Sequence, residues 1–166
     1  MKVLAIDPGY GRCGVAVVEK ENNPSTSLRA RKEVVLYSNC IETSAKDEFP
    51  ARLGAIVKEC AKLMKKHKPN AVALEKLYVT KNQKTAMRVS EVRGALISAA
   101  QQAGVPVFEY TPGEVKSAAA GFGSADKIAM AKMLHALVTI REGIRHDDEY
   151  DAIAIAVTHL ARVRGQ

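Results

Sequence analysis

The sequence lacks long hydrophobic stretches: no apolar run approaches the ~20 residues that a membrane-spanning helix needs. Its start also lacks the pattern of an export signal, a charged segment followed by an apolar one and a small-residue cleavage site. Internal repeats and low-complexity tracts are absent too. We therefore expect a cytoplasmic protein with no membrane partner, folded as a single domain over residues 1–166.

Cysteine is scarce as well. The three cysteines, Cys13, Cys40 and Cys60, are odd in number and widely spaced along the chain. This pattern favours buried free thiols in a reducing compartment over a disulfide framework or a zinc site.

Acidic residues are fewer than basic ones, with 18 Asp and Glu against 25 Lys and Arg and a formal net charge of +7. A basic balance favours polyanionic partners, although it says little about the fold. Hydrophobic residues make up 47% of the sequence, which is ordinary for a globular protein and sufficient for a substantial core at this length.

Hydrophobic periodicity predicts a mixed α/β fold. The predicted strands are residues 2–7, 13–19, 33–42, 71–75 and 105–109. The predicted helices are residues 49–67, 80–103, one that begins with a capping box formed by Thr111 and Glu114, one from near Ser124, and 148–163. Because two hairpins precede an alternation of strands and helices, we expect a five-stranded mixed sheet flanked by helices on both faces. The second hairpin connection, at 22–27, is polar.

The N-terminal segment contains GYGRCG, a literal match to the G-x-G-x-x-G dinucleotide-binding pattern. That pattern requires a helix after the glycines, whereas the residues that follow, VAVV at 15–18, are typical of a second strand. The glycines therefore predict a tight turn introduced by Pro8, which leaves Asp7 at the end of a buried strand.

Acidic residues also follow other buried segments. Glu75 comes directly after the apolar run AVAL, and Asp148 and Asp151 share one face of the last helix. If the strands ending in Asp7 and Glu75 are parallel neighbours, these acids emerge at the same edge of the sheet. Clustered carboxylates suit Mg²⁺ or Mn²⁺, ions that can activate water and stabilise the leaving oxygen in phosphodiester hydrolysis. The alternative is that the acids at 147–149 only stabilise the positive end of their helix.

Three segments carry a family resemblance. AIDPGYGRCGVAVVE, ALEKLYVTKN and DEYDAIAIAVTHL resemble the three core motifs of the RuvC family of Holliday junction resolvases, and FEYTPGEVKSAAAGFGSADK resembles the segment between the second and third. The similarity runs from Lys2 to about Leu160. It implies a ribonuclease H-like fold, a homodimer and Mg²⁺-dependent cutting of four-way DNA junctions. From the clustered carboxylates we expect two Mg²⁺ ions per active site, with Mn²⁺ as a substitute, and from the dimer we expect symmetric cuts. The resemblance also implies cooperation with a branch-migration motor.

The resemblance assigns the catalytic and metal-binding acids, which are Asp7, Glu75, Asp148 and Asp151. The D-x-x-D-A spacing of the family favours Asp148, although Asp147 also lies one helical turn before Asp151. His146 stays open as a further ligand or as a solvent-facing helix cap.

Two lysines are candidates for DNA binding. Lys127 lies three residues after the predicted N-cap Ser124, where it opposes the helix dipole and where an approaching phosphate would favour it. Lys116 lies in the preceding helix and could face the same groove. The alternative is that both side chains are simply solvated. Both match lysines that the family uses near its active site.

The segment after Glu75 supplies further candidates. Tyr78 could stack on an unpaired base or pack within the fold, and the resemblance implies contact with the centre of the junction. Lys81 and Lys84, followed along the next helix by Arg88 and Arg93, would extend a basic surface.

The same helix carries small residues four apart, Ser90, Gly94 and Ser98, which permit close approach either to the sheet or to a second subunit. Since two symmetric cuts call for two equivalent sites, we expect a homodimer that uses this helix.

Other functions remain open at this level. A related bacterial nuclease family of ribosomal RNA maturation also begins with an Asp-x-Gly motif, and a non-catalytic junction-binding module would share the charge pattern. Sugar-kinase and actin-like ATPases use two such domains, for which this chain is too short.

Overall fold

The computed structural model describes residues 1–20, 33–77, 83–120, 127–140 and 143–163. Its strands are β1 (Lys2–Asp7), β2 (Arg12–Lys20), β3 (Glu33–Glu42), β4 (Ala71–Glu75), β5 (Val107–Tyr110) and β6 (Val138–Ile140). Its helices are α1 (Phe49–His67), α2 (Gln83–Gln102), α3 (Pro112–Ala120), α4 (Lys127–Leu137) and α5 (Asp147–Arg162). The connection at 22–27, residues 80–82 of the predicted second helix and Ser124 lie outside the described residues.

The strands form one sheet in the order β5-β4-β1-β2-β3-β6. The β1–β2 and β2–β3 pairs are antiparallel, which confirms the two predicted hairpins. β4 is parallel to β1, so the condition for bringing Asp7 and Glu75 to one edge is met. The segment after the glycine turn is strand β2 and not a helix, which excludes the dinucleotide-binding interpretation.

The predicted strand count of five is wrong, because the sheet has a sixth strand, β6. Only three residues long, it follows α4 without a turn and pairs in parallel with β3. Three residues are too few for an alternation of apolar and polar side chains to be recognised in the sequence, so only the pairing with β3 identifies the strand.

Alternate residues of each strand face two different helical layers. Val3 and Ala5 of β1 pack in a core with α3, α4 and α5, whereas Leu4 and Ile6 pack with α1 and α2. Helices therefore cover both faces of the sheet, as the sequence predicted. α5 lies against the central strands with a continuous buried run from Ala152 to Leu160.

Helix α2 faces the sheet with apolar residues. The buried side chains are Val92, Leu96 and Ala100. The small residues at 90, 94 and 98 are exposed. Contact with the sheet therefore does not explain the small-residue stripe.

All three cysteines are buried and free, as expected. Among the described residues, no helix combines the length and apolar character needed to cross a membrane.

Candidate active site

The carboxyl ends of β1 and β4 bring Asp7 and Glu75 side by side. In the parallel register Ala5 lies opposite Ala73, and two residues further along both strands lie Asp7 and Glu75. Since side chains alternate between faces, both carboxylates point to the α5 face, where Ala5 and Ala73 are buried. Neighbouring strands lie about 4.8 Å apart, so the two acids begin one strand spacing from each other.

A cavity of about 250 Å³ lies over this strand edge, and Asp7, Glu75 and Asp151 all line it. Asp151 comes from the second turn of α5, and Lys116 comes from α3. The remaining lining residues, Pro112, Val115, Met130 and Ile155, are mostly apolar. Three of the four predicted acids, from three distant segments, thus meet beside one of the predicted lysines.

The electrostatics of this cavity disfavour negative charge. The pKa of Glu75 is raised because burial penalises its carboxylate and because Asp151 repels it, while Lys116 partly opposes the rise. The acidic side chains of this cavity offer only carboxylate oxygens as metal ligands, and oxygen is the ligand type that Mg²⁺ and Mn²⁺ prefer. The residues therefore fit a hard divalent cation.

Asp148 lies at the same end of the sheet but contacts a different neighbour. Its Oδ2 accepts a hydrogen bond from Arg12 Nε at 2.9 Å, and the Arg12 Nη2 group makes a second contact with the same oxygen. Asp148 is not one of the described residues that line the acid cavity. In this structure Asp148 therefore pairs with the start of β2. The sequence did not predict Arg12 as its partner.

Gly14 permits this placement of α5. It pairs with Asp7 across β1 and β2, and a Cβ at this position would lie 1.9 Å from the Asp148 carbonyl oxygen. Only a residue without a side chain allows the first turn of α5 to approach the sheet so closely.

The acids that flank Asp148 have separate environments. Asp147 is exposed and lines a second, largely apolar cavity together with Asp151. Glu149 is buried; its Oε1 accepts hydrogen bonds from the backbone N–H groups of Arg145 at 3.0 Å and His146 at 3.1 Å. The helix-end interpretation is therefore correct for Glu149, and its position three residues after the N-cap was a signal that could have identified it.

His146 is the N-cap residue of α5, and its ring lies near Cys40 and Glu42. Ligand atoms of these three residues lie within 4.8 Å of one another. In the described part of the chain, His146 thus groups with strand β3 and not with the acid cavity.

The predicted capping box fixes the helix that carries Lys116. The Thr111 N–H donates to Glu114 Oε2 at 2.6 Å, and the Glu114 N–H donates to Thr111 Oγ1 at 3.1 Å. These bonds begin α3 directly after β5, so that Lys116 reaches the acid cavity one turn later.

The other predicted DNA-binding residues are less constrained. Tyr78 and Lys81 lie outside the described residues, and Lys127 is described only by its backbone, as the first residue of α4. Lys84 is exposed at the start of α2. Arg93 forms an ion pair with Glu109 and is only 15% exposed, so its expected place in an exposed basic surface is wrong.

The chain matches known proteins over nearly its whole length. The family model described as crossover junction endodeoxyribonuclease RuvC matches residues 3–159. The crossover junction endodeoxyribonuclease RuvC of Brachyspira hyodysenteriae is 42% identical over 164 residues, covering 99% of this chain and 96% of that protein.

Two solved structures of Thermus thermophilus RuvC are also similar. One, of the protein itself, is 34% identical with a TM-score of 0.86 and covers 99% of this chain and 96% of its own. The other, in complex with a Holliday junction substrate, is 33% identical with a TM-score of 0.88 and the same coverage. This likeness confirms the predicted ribonuclease H-like fold.

Proposed function

The chain belongs to the RuvC family of crossover junction endodeoxyribonucleases, and we propose that it resolves four-way (Holliday) DNA junctions in recombination and repair by symmetric hydrolysis of two phosphodiesters. The observation that carries this proposal is the meeting of Asp7, Glu75 and Asp151 in one cavity beside Lys116. The similar Thermus thermophilus protein in complex with a Holliday junction substrate supports the same substrate here. We take the whole chain as one nuclease domain that acts in the cytoplasm.

The proposed cofactor is Mg²⁺, with two ions in each active site and Mn²⁺ as a substitute. Asp7, Glu75, Asp148 and Asp151 would hold the ions, and Asp148 would have to leave Arg12 to do so. When bound, such ions supply Lewis-acid activation of water and stabilisation of the leaving 3′ oxygen. The raised pKa of Glu75 supports this assignment, because a cation would relieve the repulsion that Asp151 imposes on it.

The protein's own cations act on the DNA. Lys116, beside the acids, would orient the scissile phosphate and offset its developing charge. We propose that Lys81, Lys84 and Lys127 contact phosphates and that Tyr78 stacks on an unpaired base near the centre of the junction. The net charge of +7 supports a polyanionic partner.

We propose a homodimer that forms through α2. Its exposed stripe of Ser90, Gly94 and Ser98, together with Met87 at 67% exposure, offers a surface that a second α2 can approach closely. Two-fold symmetry would present two equivalent acid cavities to the two strands that must be cut. The family resemblance further suggests a branch-migration motor as a partner.

The function is tested with purified protein and synthetic junctions, one with a mobile and one with an immobile branch point, in Mg²⁺ or in chelator. We expect symmetric nicks in the mobile junction, with 5′-phosphate ends that ligase can seal, only when Mg²⁺ is present. Asp7→Asn should slow nicking by more than about 100-fold while junction binding persists. The exposed acid Asp47 supplies a matched control, since Asp47→Asn should cleave normally.

The alternatives predict different results in the same assay. Tight, salt-sensitive binding without nicking on junctions of varied sequence would indicate a junction-binding module. Preferential cleavage of precursor ribosomal RNA would indicate the RNA-processing nuclease.

A further inference from the structure

A second group of metal-ligating side chains lies away from the acid cavity. Cys40 and Glu42 are two residues apart on β3, so they project from the same face of the strand. His146, at the N-cap of α5, lies over that face, and the sulfur, carboxylate and ring nitrogen atoms all lie within 4.8 Å of one another. The spacing of the cysteines in the sequence gave no sign of this group, because two of its members are not cysteines.

The ligand types differ from those of the acid cavity. A thiolate, an imidazole and one carboxylate suit a borderline cation such as Zn²⁺, whereas Mg²⁺ prefers oxygen ligands alone. Zinc bonds of about 2.0–2.3 Å in a tetrahedron separate the ligand atoms by roughly 3.3–3.8 Å. Rotation of the exposed Glu42 side chain can bring its carboxylate to such a distance from the other two ligand atoms. Three protein ligands would leave the fourth position for water.

The backbone holds two of the ligands in place. Cys40 is buried within the sheet, where it pairs with Gly14. The N–H of His146 donates to the buried carboxylate of Glu149 at 3.1 Å, which fixes the start of α5 over β3. The strand and the helix end thus preorganise the backbones of Cys40 and His146, and Glu42 is the ligand that moves.

The position of this group links it to the acid cavity. Asp7, Gly14 and Cys40 form one row across β1, β2 and β3, so the backbone of Cys40 lies two strand spacings, about 10 Å, from that of Asp7. His146 directly precedes the helix that carries Asp148 and Asp151. Arg12, the partner of Asp148, pairs with Glu42 in the β2–β3 register.

We propose that Cys40, Glu42 and His146 form a Zn²⁺ site, separate from the Mg²⁺ site and two strands away from it. Binding replaces the thiol proton of Cys40 with the ion, and that proton passes to the buffer. The ion ties β3 to the N-terminus of α5, and it neutralises the Cys40 thiolate and the Glu42 carboxylate, so the site no longer presents a negative charge to Arg12. Occupancy therefore acts on the ion pair that holds Asp148.

Cobalt(II) is the probe for this site, because it takes the place of Zn²⁺ and gives a thiolate-to-metal absorption band when sulfur is a ligand. The titration is run in excess Mg²⁺, which fills the acid cavity and keeps Co²⁺ out of it. The readout is an absorbance, which does not depend on nuclease activity. We expect a band in the wild type that Zn²⁺ abolishes by displacement. Cys40→Ser should lose the band, and Cys60→Ala, which removes a buried thiol from the opposite core, should keep it.

Two further variants keep the test independent of the folding of Cys40→Ser. Loss of an outer-shell partner typically weakens metal binding by about 10–100-fold, and loss of a direct ligand should weaken it at least as much. Glu42→Gln, at an exposed position, and His146→Gln should therefore raise the Kd for Co²⁺ by more than about 10-fold. Zn²⁺ should also raise the Tm of the wild type but not that of these variants.

The proposal is overturned if the wild type gives no thiolate band, or if Cys60→Ala loses the band while Cys40→Ser keeps it. Unchanged Co²⁺ affinity in both Glu42→Gln and His146→Gln would equally contradict it. None of these outcomes bears on the Mg²⁺-dependent nicking of junctions, which is measured separately.

Discussion

Among single residues, Glu75 has the clearest conflict between stability and function. Its raised pKa means that, between the ordinary carboxyl value and the raised one, the folded chain binds more protons than the unfolded chain. The contribution of Glu75 to the stability of the metal-free fold is therefore greatest below the ordinary value and falls as the pH rises through the raised one. The same carboxylate charges that would hold a cation therefore destabilise the metal-free fold.

Glu75→Gln should consequently stabilise the metal-free protein. At about pH 8 in chelator we expect the Tm of the variant to be higher by roughly 2 °C, because glutamine places no charge in the cavity beside Asp151. The gain should shrink as the pH falls towards the ordinary carboxyl pKa, and Mg²⁺ should raise the Tm of the wild type more than that of the variant. Thermal unfolding of both proteins across this pH range measures the effect. A lower Tm for the variant at about pH 8 in chelator would contradict this account.

Gly14 is the second residue whose chemistry can be tested directly. Gly14→Ala places a methyl group against the Asp148 carbonyl and should displace the first turn of α5. We expect a loss of about 3 kcal/mol in unfolding free energy and a large loss of nicking. Chemical denaturation and the junction assay provide the two measurements.

The matched control for Gly14 is another glycine with open space around it. In α1, a Cβ at Gly54 would meet nothing within 4 Å. Gly54→Ala should therefore add about 0.5–1 kcal/mol of stability, because alanine is the better helix former. Equal effects of the two substitutions would show that the close approach at Gly14 does not matter.

The sequence predicted some of these residues and not others, for a physical reason. Asp7 and Glu75 follow apolar runs at the ends of strands, so their convergence needed only the assumption that the strands are parallel neighbours. The contact between Arg12 and Asp148 joins residues 136 positions apart and depends on how the start of α5 lies over β2. No local pattern records that placement, and the same holds for the approach of His146 to Cys40.

Among the elements, α5 combines the acid-bearing N-terminus with a buried histidine near its other end. A hydrogen bond of 2.8 Å joins His159 Nδ1 to the Tyr110 hydroxyl, and the ring packs against Phe108. Burial lowers the pKa of His159. Below its ordinary value of about 6.5, the unfolded chain takes up a proton that the folded chain resists.

This element should therefore lose stability in mild acid. As the pH falls from about 7.5 to about 5.5, the His159 contribution to stability decreases, and His159→Phe should reduce the accompanying drop in Tm. Thermal unfolding at the two pH values checks this. An identical drop in the wild type and the variant would mean that His159 does not set the acid sensitivity.

Element boundaries were predictable wherever a local signal marks them. The capping box at Thr111 located the start of α3, and Pro69 separates α1 from β4. β6 had no such signal, because a strand that leaves a helix without a turn is defined by its partner. The small-residue stripe on α2 could be recognised in the sequence. The face of α2 that meets the sheet could not, because it is identified only by the packing of Val92 and Leu96.

At the scale of the whole molecule, the proposed dimer is tested at Gly94. The site is exposed on α2 and open around its Cα, so Gly94→Glu fits the single chain without a clash. Charges facing each other across the two-fold axis should dissociate the dimer. We expect the sedimentation coefficient of a monomer and nicks that no longer occur in symmetric pairs.

Gly54→Glu is the control, since it places the same charge at an open helical position on α1. It should sediment as the wild type does. A Gly94→Glu protein that stays dimeric would exclude this face of α2 as the interface.

The central claim is that acids from three distant segments, Asp7, Glu75 and Asp151, hold divalent cations in one cavity. Mn²⁺ binding, counted by the loss of the free-ion electron paramagnetic resonance signal, tests it most directly. We predict that Asp7→Asn, Glu75→Gln and Asp151→Asn each weaken binding by more than about 10-fold, while Asp47→Asn leaves it unchanged. Wild-type Mn²⁺ affinity in all three cavity variants would contradict the account.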